Sequence, residues 1–323
     1  MPDLLHSIKI SDADYEKAAI QWKSDFLLMP LFSCMDALKY MQGMPGVTVP
    51  TKLPSVEGAG QFAPYRRDRK SASETKIDYR EITSYLGNVR EDFEPLEIVQ
   101  TLLGRGTATL GDAQMQAPTA RLVIAEVMRS LGHHLHNALF TAKRNASGDT
   151  TADLFDGFDT ITDKEIAAGA IAAEEGNYMK IDDEITAANA VDIAKSILFS
   201  LDPRLRSQEL YLYCSQDFVD KYNEGYLLTH GGIPYNTQYG QGAVEGSNGK
   251  LKFCPLYNKA GSKFMHVTTK SNMLVGYDQM GDVENVMVKA YAPFILSYIA
   301  TMFFGVQFET LDKRRFKTIE LTV

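Results

Sequence analysis

The chain has 323 residues, with 33 Lys and Arg against 41 Asp and Glu, a formal charge of −8. Apolar residues at 45% and charged residues at 23% are ordinary globular values and exclude a disordered or collagen-like chain. The acidic balance argues against broad nucleic-acid binding, and Cys34, Cys214 and Cys254 are too few and too far apart for a disulfide framework or a Cys-x-x-Cys metal knuckle.

The length allows about two domains or one elaborated one. At the N-terminus, Asp3, His6, Lys9 and Asp12 interrupt any apolar core, so no signal peptide is expected. Ser11 to Tyr40 reads as helical: Asp12 or Asp14 can cap, and Ala18, Trp22, Phe26 and Met29 recur near helical spacing until Pro30. A second short helix follows through Cys34 to Met41. From Gln42 to Ser73, Gly43, Pro45, Gly46, Pro50, Pro54, Gly58, Gly60 and Pro64 remove any period, which predicts a long extended arm. Ile77 to Leu86 reads as a strand, Gly87-Asn88 as a turn and Val89 to Leu103 as the return, closed by Gly104, Gly106 and Gly111.

Asp112 to Asn145 is the clearest helix. Ile124, Met128, Leu131, Leu135 and Leu139 make one apolar stripe, and Pro118 sits near the start, where its missing N–H is harmless. The next stretch, Asp149 to Glu184, carries 11 acidic residues and two lysines. A helix is predicted from about Asp183 to Leu201, with Ile193, Ile197 and Leu201 spaced by four and Pro203 just beyond. Glu209 to Cys214 alternates as a strand, and Ser215 can cap a short helix through Tyr222. Gly225 to Gly249 holds seven glycines with Tyr226, Tyr235 and Tyr239 between them, and reads as a long loop. Strands follow at Lys250–Cys254, Lys263–Thr269 and Met273–Tyr277, then three runs between Val283 and Leu321. Ala290 to Phe308 is 19 residues without a charge, long enough to cross a bilayer. Pro293, Ser297, Thr301 and Gln307, amid Tyr, Phe, Ile and Val, point instead to buried strands.

No residue set carries chemistry. His133, His134 and His136 crowd one helix without a carboxylate at helical spacing or a His-Glu-x-x-His motif, and read as polar decoration. Gly240-Gln-Gly242 begins like a dinucleotide fingerprint, but Glu245 stands where the third glycine belongs and no Gly-Lys-Ser/Thr appears. Asn145-Ala-Ser147 matches a glycosylation acceptor, which means nothing without secretion. Cys214 and Ser215 sit at a strand-to-helix step that lacks the flanking glycines of a nucleophile elbow. Asp153, Asp156, Asp159 and Asp163 miss the spacing of a calcium loop and read as a solvated acidic surface. The expectation is therefore no catalytic residue, no cofactor and no metal.

The order of elements, with Lys252-Phe-Cys-Pro-Leu256 and Lys263 to Asp278 leading into Val286-Met-Val-Lys-Ala290 and Phe303-Phe-Gly-Val-Gln-Phe308, resembles the major capsid protein of tailed bacteriophages. That is the fold first described for the Hong Kong ninety-seven phage. Leu154-Phe-Asp-Gly-Phe158 is similar to capsids of phages that infect gut Bacteroidetes. The resemblance implies an α+β fold divided into an N-terminal arm (1–73), an extended loop (74–111), a peripheral platform with a long spine helix (112–182 and 283–323) and an axial domain (183–282). It implies a non-enzymatic subunit that self-assembles into pentamers and hexamers of an icosahedral head around double-stranded DNA. The location would be the virion, and the bacterial cytoplasm before assembly. Its partners would be further copies of itself, then portal, scaffolding and decoration proteins. The packaged DNA would be held without sequence-specific binding, and no membrane would be involved.

Cross-linking members of the family join a Lys to an Asn between subunits. Lys76 lies near the start of the extended loop, but nothing identifies its partner, and no such cross-link is expected. The arm from Gln42 to Ser73 should gain order on neighbouring subunits, and the Ile124–Leu139 stripe should face the C-terminal strands. The glycine-rich loop should lie near the capsomer axis, since it permits tight turns and offers tyrosine contact surface. An encapsulin-like cellular shell is the alternative on the same fold, followed by a hydrolase assembled from scattered Asp and His residues.

Overall fold

A computed structural model of the chain describes residues 35–57, 64–65, 67, 76–93, 116–230, 242–277, 286–292 and 295–322. The helix expected before Pro30, the Gly104–Gly111 cluster, Tyr235, Tyr239 and Cys34 lie outside the described residues. In chain order the elements are α1 (Met35–Leu38), β1 (Gln42–Pro45), β2 (Thr51–Glu57), β3 (Lys76–Ile82), β4 (Tyr85–Phe93), α2 (Gln116–Thr141), α3 (Phe158–Ala167) and β5 (Tyr178–Ile181). They continue with α4 (Ala190–Phe199), α5 (Pro203–Arg206), β6 (Leu210–Ser215), α6 (Gln216–His230), β7 (Leu251–Leu256), β8 (Phe264–Thr268) and β9 (Met273–Tyr277). The last three are β10 (Val286–Ala292), β11 (Ile295–Phe308) and β12 (Phe316–Leu321). The class is α+β, as expected.

The uncharged run from Ala290 to Phe308 becomes β10 and the 14-residue β11, the axis of the first sheet. One edge of β11 pairs antiparallel with β4, from Leu296–Phe93 to Phe304–Tyr85. Its other edge takes β10 along the first half and β9 along the second, and β1 lies parallel to β9 beyond. Among the described residues no helix is long and apolar enough to cross a membrane.

The second sheet has the order β5-β12-β8-β6-β7. Side chains alternate across a strand, and here both faces are buried. Leu210, Leu212, Cys214, Leu251, Phe253, Met265, Val267 and Ile319 point to one side, where Val191, Ala194, Ile197 and Leu198 of α4 and Phe218 and Tyr222 of α6 cover them. Tyr213, Cys254, Leu256 and Phe316 point to the other side. There they meet Leu135, Ala138, Leu139 and Phe140 of α2, Phe155 and Phe158, and Phe304, Val306 and Phe308 of β11. Leu135 and Leu139 of the predicted stripe belong to the same buried core as Phe304, Val306 and Phe308 of β11. Leu131 is only half-buried, and the side chains of Ile124 and Met128 lie outside the described residues.

Several expectations are corrected. The segment from Gln42 is not all extended arm: β1 pairs with β9, and β2 pairs antiparallel with β3 from Thr51–Ile82 to Glu57–Lys76. Pro45 and Pro54 are tolerated because β1 is an edge strand and β2 belongs to a two-stranded ribbon with an open edge. The division at 73/74 therefore falls inside one strand pair. Gly87-Asn88 is not a turn, because β4 runs straight through it, Gly87 opposite Met302 and Asn88 opposite Thr301. The break between strands falls instead at Thr83-Ser84, which belong to neither β3 nor β4. Helix α6 continues past Tyr222 and through Gly225, where a Cβ would stand 2.1 Å from the Ala187 carbonyl oxygen. That glycine serves close packing rather than helix termination. The divisions at 182/183 and 282/283 do not follow the sheets either. Strand β12 lies between β5 and β8, and β9 belongs with β11.

Candidate functional surfaces and a buried polar cluster

The sequence candidates separate in space. His133 and His134 are exposed, whereas His136 is fully buried and stacks on Tyr257 with ring centres 4.5 Å apart. The reading of all three as surface decoration fails at His136, because the helix turns that face into the core. No three His, Cys, Asp or Glu side chains converge as a metal site among the described residues. Ser215 caps α6, its hydroxyl oxygen accepting from the Phe218 N–H at 3.3 Å. Cys214 and Cys254 are buried free thiols; burial pushes the Cys214 pKa up to about 12, so it is not a thiolate near neutral pH. Gly242 and Glu245 lie in the turn before β7, where Ala243 bridges Lys252 and Glu245 pairs with Lys195 at 3.0 Å, while Gly240 lies outside the described residues. Asn145 and Ser147 hydrogen-bond to each other in an exposed turn.

The acidic run divides likewise. Asp153 caps its own turn through Thr150, Asp156 accepts from Lys164 Nζ at 2.6 Å, and Asp163 pairs with Lys263 at 2.7 Å, all near solvent. Asp159 departs from the expected solvated surface. It lies in the first turn of α3, where the helix dipole favours a negative charge, and it is buried. The short turn 157–160 is held against the end of α2: the Gly157 N–H donates to the Ala142 carbonyl at 2.8 Å and the Thr160 hydroxyl to the same oxygen at 2.6 Å. A Cβ at Gly157 would meet the Phe140 carbonyl oxygen at 2.3 Å, so only glycine admits this approach.

Around Asp159 a polar cluster sits inside an aromatic shell. Lys259, 1% exposed, donates to Asp159 Oδ1 at 2.8 Å, and the Ser262 hydroxyl donates to Oδ2 at 2.6 Å. His266 Nδ1 stands 3.9 Å from Oδ1. Burial, with the Lys259 charge nearby, holds the His266 pKa well below the usual histidine range, so its ring is neutral. Burial also lowers the Lys259 pKa, against the opposing pull of Asp159. Phe140 lies 4.2 Å from Lys259 Nζ, and Phe308 packs on His266 at 5.4 Å and on Phe158 at 5.0 Å. No sequence signal announces this cluster, because its members come from α3, the turn after β7, and β8.

The outer surfaces have a different character. The base of the β2–β3 ribbon is buried, where Leu53 and Ile82 meet Val47 and Leu274. Tyr79 on the ribbon is 62% exposed and Tyr65, between its strands, 92%. Arg80 ties the ribbon down, donating to Glu165 at 2.7 Å and to the Phe308 carbonyl at 3.0 Å. Between α2, β4 and β11 a cavity of about 530 Å³ opens, lined by Leu131, Leu154 and Met302 together with Arg144, Asp149 and Asp153. Leu154 and its Leu154–Phe158 block thus join this cavity to the first core.

No family model and no curated protein sequence matches the chain. Solved structures do. A chain of the satellite phage P4 procapsid that includes the size determination (Sid) protein is similar at 14% identity and TM-score 0.59, over 98% of this chain and 93% of that one. A chain of the native GTA particle capsid is similar at 12% identity and TM-score 0.56, over 90% and 91%. One from the cyanophage A-1(L) capsid asymmetric unit is similar at 11% identity and TM-score 0.52, over 98% and 94%. At such identities the likeness establishes the fold, which is that of tailed-phage capsid chains.

Proposed function

We propose that this chain is a major capsid protein that assembles into the pentamers and hexamers of an icosahedral phage head. One observation carries the reading: the likeness to chains of phage and GTA capsids extends over nine-tenths or more of both chains in each comparison. The role is structural rather than catalytic. Its partners are further copies, then portal, scaffolding and decoration proteins, and its place is the virion after a period in the bacterial cytoplasm. An acidic subunit suits an inner wall that must release packaged DNA. The link to phages of Bacteroidetes rests on the Leu154–Phe158 block alone.

In this reading the residues before β1 form the arm and the β2–β3 ribbon the extended loop. The first core with the β11 sheet forms the platform, and the second core the axial part, with the segment between α6 and β7 near the capsomer axis. Exposed Tyr65 and Tyr79 on the ribbon supply apolar contact surface for a neighbour. Rings of five and six from one chain need heterologous contacts of this kind.

Electron microscopy of purified particles tests the proposal. Closed shells with fivefold and sixfold capsomers are expected, filled with DNA when formed in the native host. Shells filled with protein cargo would favour the encapsulin-like alternative. A chain that stays monomeric at high concentration, with scaffold and portal supplied, would overturn the assignment.

A further inference from the structure

The buried cluster holds a nucleophile, an electrophile and two proton-handling groups that shell formation does not use. We propose that Lys259 and Asp159 condense within each folded chain to an isopeptide bond, tying the turn after β7 to the first turn of α3. The bond lies inside one subunit and is separate from any link between subunits.

The two groups are already hydrogen-bonded to each other. Lys259 Nζ hydrogen-bonds Asp159 Oδ1 at 2.8 Å, which leaves the nitrogen close to Cγ, within the reach of a near-attack arrangement. Passage of one proton along that hydrogen bond, from Nζ to Oδ1, supplies the free amine that attacks and the hydroxyl that leaves. Desolvation of Lys259 acts in the same direction.

The surrounding groups are placed for the step. Ser262 donates to Oδ2 at 2.6 Å, the shorter of its two contacts, so a donor stands where negative charge develops as Cγ becomes tetrahedral. The Thr162 hydroxyl spends its one proton on the Phe158 carbonyl at 2.8 Å and therefore accepts from His266 Nε2–H at 2.9 Å. That assignment leaves His266 Nδ1 unprotonated, 3.9 Å from Asp159 Oδ1. As the amine attacks Cγ, the C–N bond forms and one amine proton passes by way of Nδ1 to the acid's hydroxyl oxygen. The C–O bond then breaks and that oxygen leaves as water, while Oδ2 becomes the amide carbonyl held by Ser262. The amine gives one hydrogen and the acid its hydroxyl, so no oxidant, reductant or activated donor is needed. Phe140 over Lys259 Nζ and Phe308 against His266 shield the amine side of the site.

The test is the intact mass of the full-length, folded and then denatured chain, followed by a tryptic digest. A mass short of one water is expected, together with a branched peptide joining the segment that contains Asp159 to the one that contains Lys259, and no cleavage after Lys259. Lys259→Met should restore the full mass of its sequence. Ser262→Ala, monitored from first folding, should form the link at least about tenfold more slowly. A folded wild-type chain with its full sequence mass would overturn the proposal. So would a lost water that maps elsewhere, such as to Asp156-Gly157.

Discussion

The two faces of the second sheet are built from the same five strands yet hold differently. Toward α4 and α6 the face is aliphatic apart from Phe253: Leu210, Leu212, Cys214, Leu251, Met265, Val267 and Ile319. Lys317, 5% exposed, shares this face as a buried cation and donates to the Ser200 carbonyl at 2.7 Å. Toward α2, α3 and β11 the same strands present Tyr213, His266, Thr268 and Phe316, and beside them lies the Lys259–Asp159 pair. An aliphatic face tolerates imperfect fit in proportion to the volume lost. A buried polar face fails when one member is removed, because the partner left behind has no group to satisfy it.

Asp159→Ala should therefore be the most damaging single change, costing about 3–5 kcal/mol by leaving Lys259 without its carboxylate. Chemical denaturation of the variant measures it, and a cost below that of any aliphatic truncation would break the contrast. Next comes Leu212→Ala on the opposite face, which opens a cavity in a fully buried site and should cost about 2–4 kcal/mol. Acid sharpens the comparison further. An unfolded His266 takes up a proton near pH ~6.5, while the folded ring, held lower by burial, does not. Stability from this group is thus present above that pH and is lost as pH falls below it, by up to about 1.4 kcal/mol per unit. His266→Phe should flatten that limb of a stability–pH curve, and an unchanged slope would place the acid sensitivity elsewhere. The smallest effect is expected from Ser215→Ala, about 1 kcal/mol for one lost helix cap, read by thermal unfolding.

The aliphatic face was legible from local pattern. The alternation through β6, the spacing of Ile193 and Ile197 in α4, and the order of strands from β7 to β12 all follow from periodicity that each segment carries by itself. Long-range choices were not legible. Nothing in Phe316–Leu321 says that it inserts between β5 and β8, since pairing partners are set by the whole sheet. Glycines misled twice: at Gly87, where β4 continues opposite Met302, and at Gly225, where the helix needs a bare backbone beside Ala187. The polar cluster was hidden for a related reason. Asp159 looked like one more member of an acidic run, and its counter-charge stands a hundred residues away.

The position of β12 has a consequence in time. Its neighbours β5 and β8 cannot be joined until it has been made, and β5 leaves the ribosome far ahead of it. At ordinary synthesis rates the gap lasts on the order of ten seconds. During that interval Ile181 and Met265 lack the strand that lies between theirs, so neither core can close around a half-finished chain. The nascent protein must therefore wait, with unpaired strands exposed, until its own β12 is in place.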